Sequence, residues 1–163
     1  MASTPEGTRA VWGLLAAHSS TADTVEVRIS PDNPIWWLLR ERDASVSGLS
    51  KWMLRVIDAK AAIEGRGFPA GIHVSARLTI ADDILLANHG TWRLSVADGT
   101  ATFDRTADDP PALTLRPRGL AALYAGTPVS TLRLAGLATG GTPNDDAALA
   151  AAFGCTSFML DDF

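Results

Sequence analysis

The stretch Ile72-His73-Val74-Ser75-Ala76-Arg77-Leu78-Thr79-Ile80 alternates apolar and polar side chains along its whole length. Successive side chains of a strand point to opposite faces. Ile72, Val74, Ala76, Leu78 and Ile80 therefore share one side, and His73, Ser75, Arg77 and Thr79 the other. Such a strand belongs to a sheet with one buried face and one wet or lined face. Downstream, Gly90–Val96 and Gly99–Arg105 have strand composition and are joined at Asp98-Gly99, a tight-hairpin signal; Ala112–Leu115 reads as a further strand.

The flanks supply helices. Ala59–Glu64 reads as a short helix ended by Gly65 and Gly67, and Arg118–Tyr124 as one stopped by Gly126. Val129–Leu137 is apolar, with Gly136 and Thr142-Pro143-Asn144 signalling loops, and a last helix is expected from about Asn144 to Phe153, capped by Asn144 or Asp145. Trp52–Asp58 is expected to be extended as a strand. The expectation is an α+β fold, a mostly antiparallel sheet with helices packed on one side.

Toward the amino terminus, Glu6–Ala17 spaces Val11, Trp12, Leu14 and Leu15 as a helix, with Thr4-Pro5 to start it. Thr24–Ile29 alternates as a strand and ends at Ser30-Pro31-Asp32. The dense run Ile35-Trp36-Trp37-Leu38-Leu39 follows, then a polar stretch from Arg40 to Ser50. That composition shift places a boundary near residue 45, dividing 1–45 from 46–163. Two adjacent tryptophans before a linker point to a surface covered by another domain or by further polypeptide, with a ligand site as the other reading.

Bulk composition narrows the function classes. With 163 residues, 47% of them hydrophobic, the chain can bury one core and carry one attached piece. A net charge of -4 and no basic stripe longer than Arg116-Pro117-Arg118 argue against a nucleic-acid partner. The lone Cys155 excludes an intrachain disulfide and a paired-cysteine metal site, which suits a reducing compartment. No run reaches the roughly 20 apolar residues that span a bilayer, and Met1–Gly7 has no leader pattern, so no membrane association and a cytoplasmic location are expected.

Motifs for chemistry are few. Gly65-Arg66-Gly67-Phe68-Pro69-Ala70 has a relaxed dinucleotide-loop spacing, but a helix precedes it and a strand follows, the reverse of what that loop needs, so it reads as a turn. Asp82-Asp83 and Asp108-Asp109 fall in expected turns and read as solvated; Asp161-Asp162 differs by being attached to the chain end. His18, His73 and His89 have no ligand spacing, so no metal is expected. No nucleophile elbow surrounds any serine.

Met53-x-Arg55-x-x-Asp58 followed by an alanine-rich helix resembles the opening of the carboxy-terminal domain of the enhanced-intracellular-survival (Eis) family of GNAT acetyltransferases. Gly90-Thr91-Trp92-Arg93-Leu94 resembles its central hairpin, Leu120-Ala121-Ala122-Leu123-Tyr124-x-Gly126 its L-x-x-L-Y-x-G helix, and Phe153-Gly154 through Asp162-Phe163 its ending. Asn33-Pro34 and Trp36-Trp37-Leu38-Leu39 are similar to the close of its second acetyltransferase-like domain. The resemblance runs from about Arg9 to Phe163, and its weight lies in order and spacing.

It implies a sterol-carrier-protein-like domain over 46–163, preceded by a helix-strand remnant of a GNAT-like domain over 1–45. It also implies that the chain is the carboxy-terminal part of an N-acetyltransferase. Acetyl-CoA would be the cofactor of the full-length protein, bound by a domain absent here, since no R/Q-x-x-G-x-G/A loop occurs within the GNAT-like remnant 1–45. None is expected in this chain. The partners implied are a primary-amine substrate, aminoglycoside-like or polyamine-like, and further copies of the full-length chain in a homo-oligomer.

The same resemblance assigns the catalytic base to the terminal carboxylate of Phe163, with Asp162, Asp58 and Met53 toward the substrate. Tyr124, the sole tyrosine, lies in the wrong domain to act as the family's general acid. The other reading of the tail is a frayed acidic end; Phe158-Met159-Leu160 argues for docking instead. The alternative function is a stand-alone sterol-carrier-type module enclosing an apolar ligand between Ile72–Ile80 and Leu120–Tyr124, and a third is a scaffold that only oligomerises.

Overall fold

The computed structural model describes residues 4–18, 20–39, 44–107 and 112–160. Two compact units divide the chain: one takes the residues up to Lys51 together with the segment from Phe158 onward, the other is Trp52–Ser157.

The larger unit is built on one five-stranded sheet. Its strands are β1 (Val74–Ile80), β2 (Gly90–Ala97), β3 (Thr100–Arg105), β4 (Leu113–Leu115) and β5 (Ala138–Gly140), in the order β3-β2-β1-β4-β5. All pairings are antiparallel except β1 with β4. Register follows the alternation: Leu78 faces Trp92 and Ala76 faces Leu94, so apolar side chains share one face across strands. The β2–β3 turn has Asp98 and Gly99 both at positive φ, 51° and 78°, the twist a two-residue hairpin requires.

Helices in this unit are α3 (Ala59–Glu64), α4 (Pro117–Tyr124), α5 (Val129–Leu134) and α6 (Pro143–Phe153). Their Ile63, Leu120, Leu123, Leu132, Leu149 and Phe153 pack with Leu78, Ile80, Trp92, Leu94 and Phe103 into one core. Burying each such side chain stabilises the fold by about 1.5–3 kcal/mol against a fully exposed reference. Gly119 is required where α4 crosses the loop before β5: a Cβ there would lie 2.4 Å from the Leu137 carbonyl oxygen.

Several expectations are corrected. Trp52–Asp58 is extended but joins no ladder, and β5 is a strand that the sequence did not reveal, being three residues behind Gly136. The cap of α6 is Thr142, not Asn144 or Asp145; Pro143 fits the first helical turn, and Thr142 and Asp145 form a reciprocal capping box.

The smaller unit contains α1 (Pro5–Ala16), capped by the Thr4 hydroxyl, and a single turn α2 (Ile35–Leu38). Ile35 is its one buried residue among those described. Val11, Leu14, Val25, Val27, Trp37, Val46 and Leu49 are all exposed, Trp37 at 89%. The expected strand Thr24–Ile29 forms no ladder: its period-two pattern is intact, but no described segment supplies backbone partners. Exposed apolar side chains in such number mark a surface that packs against something.

Candidate functional site

The segment that leads from Met53 into α3 carries the family-like motif, and the structure shows what its residues do. The Arg55 Nη2 donates to both carboxylate oxygens of Asp82, at 2.9 and 2.8 Å. Asp82 is only 1% exposed, and its Oδ1 also accepts from the backbone N–H groups of Ile84 and Leu85. Burial pushes this carboxyl up, but the two backbone donors and the Arg55 guanidinium together outweigh it and hold the group below its ordinary value. The expectation of a solvated Asp82 is thus corrected: the residue does form a turn, but buried and ion-paired.

Asp58 caps α3, accepting from the Ala61 N–H at 2.9 Å. Asn88 fastens the same corner: its Oδ1 accepts from the Ala59 N–H at 2.9 Å, its Nδ2 donates to the Ile57 carbonyl at 3.0 Å, and its carbonyl accepts from the Trp92 indole at 2.9 Å. These bonds fix an edge on which Met53, Leu54, Ile57, Ile84 and Leu86 are exposed, Met53 completely. Asp83 adds an exposed carboxylate beside them.

Phe163 and Asp162 lie outside the described residues, as do Asp161 and the Asp108-Asp109 pair. Just before them, Phe158, Met159 and Leu160 are each about half exposed, and the Arg28 guanidinium donates to the Leu160 carbonyl at 3.5 Å. Tyr124 is engaged structurally, its hydroxyl donating to the Ala62 carbonyl at 3.2 Å.

Gly65-Arg66-Gly67 is a turn, as its context required, and Arg66 has a packing role that no spacing rule signals. Its guanidinium lies 5.6, 5.2 and 4.9 Å from the ring centres of Phe68, Tyr124 and Phe153 and donates to the Tyr124 and Phe153 carbonyls. The space between sheet and helices, the expected lining of an apolar-ligand site, is filled: Leu78, Ile80, Leu120 and Leu123 are at most 2% exposed and pack on one another. An apolar ligand would have to displace them.

In the smaller unit Thr4, Pro5, Thr8, Arg9, Pro34, Trp37 and Leu38 line an open cleft of about 360 Å³. Among the described residues no group of three or more histidines, cysteines and carboxylates is placed to hold a metal, and no helix is long and apolar enough to cross a membrane.

The sequence pattern of the sterol carrier protein domain matches residues 59–159. The chain belongs to that family. Ahead of this sterol carrier protein domain, residues 1–56 match the acetyltransferase (GNAT) domain. Among solved structures, the GCN5-related N-acetyltransferase from Kribbella flavida is similar at 42% identity and a TM-score of 0.89, covering 98% of this chain and 41% of that one. The GCN5-related N-acetyltransferase from Anabaena variabilis is similar at 31% identity, with the same TM-score and coverage. Eis1 from Mycobacterium abscessus, at 24% identity and a TM-score of 0.75, covers all of this chain and 42% of its own and shares the fold. The chain therefore spans about two-fifths of the length of the solved acetyltransferases it matches. No curated protein matches it.

Proposed function

We propose that this chain is the carboxy-terminal part of an Eis-like N-acetyltransferase that moves the acetyl group of acetyl-CoA to a primary amine. The single observation that carries this reading is the pairing of a GNAT match over 1–56 with a sterol carrier match over 59–159, in a chain 42% identical to a GCN5-related N-acetyltransferase more than twice its length. The uncovered apolar surface of the smaller unit supports it, since the rest of a GNAT domain is the natural cover for Val11, Leu14, Val25 and Val27.

In this reading acetyl-CoA is held by a domain outside this chain. The role of this chain is to finish the acceptor side. An ammonium must lose a proton before its nitrogen can attack the thioester carbonyl. The terminal carboxylate of Phe163 takes that proton as general base. Asp162 adds negative charge that draws in a cationic aminoglycoside or polyamine. The exposed rim of Met53, Leu54, Ile57, Ile84 and Leu86, with Asp58 and Asp83 beside it, contributes apolar contact and acid to the acceptor pocket. The full-length enzyme is a cytoplasmic homo-oligomer.

The test is free-CoA release from acetyl-CoA and a panel of primary amines. The chain alone should release none. Joined to the preceding three-fifths of a related acetyltransferase, it should restore release; activity from the chain by itself would refute the proposal.

A further inference from the structure

The face of the sheet opposite the core carries an array that the acetyltransferase reading does not use. Register puts Ser75 opposite Ser95, Arg77 opposite Arg93, and Thr79 opposite Thr91, three rows of like residues across β1 and β2. Side chains directly opposite in an antiparallel pair have Cβ atoms about 5 Å apart, and like charges there repel. A sheet normally answers such a pair with a carboxylate in the next strand. Asp104 occupies that place, opposite Arg93 in β3, but its carboxylate accepts from Lys60 Nζ at 2.7 Å instead. Neither Arg77 nor Arg93 has a hydrogen bond or ion pair among the described residues.

Arg93 is exposed and Arg77 half-buried, so two arginines directly opposite in the register both reach solvent on this face, beside Ser75 and Ser95. The Thr79 and Thr91 hydroxyls bond each other at 2.8 Å, and Thr91 is buried, so the open hydroxyls beside the arginines are those of Ser75 and Ser95. The array is thus rich in N–H donors, and the one carboxylate in its row, Asp104, is ion-paired with Lys60 rather than with either arginine.

We infer that this array is a phosphate-binding site, Arg77 and Arg93 together clamping a phosphate or pyrophosphate group with the flanking Ser75 and Ser95 hydroxyls completing its hydrogen bonds. The guanidinium fork matches phosphate oxygens in pairs, and an anion between the two arginines converts their repulsion into attraction. A docked protein is disfavoured as the occupant, because interfaces of that kind centre on apolar and aromatic anchors, and no large hydrophobic side chain is exposed on this face. The phosphate can belong to a soluble metabolite or to a lipid headgroup; the chemistry is the same and the test separates them.

The experiment is thermal unfolding of the full chain at low ionic strength with increasing inorganic pyrophosphate, against sodium chloride matched for ionic strength. The native chain should show a saturable rise in Tm beyond that of chloride. R77Q/R93Q should lose that rise, with affinity weaker by about tenfold or more. In chloride alone the double variant should melt no lower than the native chain, because the repulsion is relieved; this also shows that it folds. Flotation with vesicles of phosphatidic acid in phosphatidylcholine, beside the pyrophosphate titration, assigns the source: a soluble ligand if pyrophosphate alone binds, a headgroup if the vesicles bind more tightly, and either depends on both arginines. Equal responses of the native and double-variant chains, or tighter binding of polyglutamate than of pyrophosphate, would overturn the inference.

Discussion

Arg55 and Asp82, 27 residues apart in sequence, are joined through both carboxylate oxygens at 2.9 and 2.8 Å, with Asp82 buried and Arg55 about one-third exposed. This pair fastens the segment entering the sheet domain to the turn after β1. Asp82→Ala should lower unfolding stability by about 2–3 kcal/mol, because it orphans two backbone N–H groups and the guanidinium together. Asp82→Asn should cost less, since one oxygen still accepts. Urea unfolding followed by tryptophan fluorescence measures both.

The pH dependence follows from the same carboxyl. Its proton affinity in the folded chain is below the ordinary carboxylate value, so its contribution is complete above about pH 4 and is lost as pH falls through the lower folded value. Glu64, lowered chiefly by the Lys60 hydrogen bond and then by the Phe103 N–H, acts in the same direction. Stability should drop more steeply between about pH 4 and pH 2 in the native chain than in Asp82→Asn. Parallel slopes would show that the pair is not responsible.

The outer edge of β3 is closed by α3. The Phe103 N–H donates to Glu64 Oε1 at 2.9 Å and its carbonyl accepts from Lys60 Nζ at 3.0 Å. Edge strands left with unpaired groups recruit other chains. Glu64→Ala should therefore increase self-association with concentration, read by light scattering, more than an exposed control such as Lys51→Ala.

Arg66 spans the ends of α4 and α6 through three aromatic rings and two carbonyls. Arg66→Ala should destabilise the chain by about 2 kcal/mol, and Arg66→Lys should recover only part of that, because an ammonium lacks the planar face that stacks. Full rescue by lysine would contradict the stacking account.

What the sequence disclosed was the part governed by local periodicity. The alternation of Ile72–Ile80 placed β1 and its buried face, and Asp98-Gly99 placed the hairpin, because both signals lie within a few residues. The strand β5 has no local signal because three residues carry no period, and Asp82 reads as a solvated turn because its partner Arg55 is set by tertiary folding alone. Thr24–Ile29 shows the converse: a correct pattern makes no strand without a partner to pair with. Arg66 had no local signal at all. Met53 and Asp58 were singled out through family resemblance; the structure exposes the first and uses the second as a helix cap.

The central claim is that this chain supplies the base that frees the acceptor amine. The most direct measurement is kcat for acetyl transfer in the longer acetyltransferase ending in this sequence, with and without its final residue, Phe163. The account predicts that removing Phe163 lowers kcat by about 10² or more, the usual contribution of a positioned general base, and that the loss shrinks as pH rises and the amine deprotonates in solution. An unchanged kcat at neutral pH would contradict it.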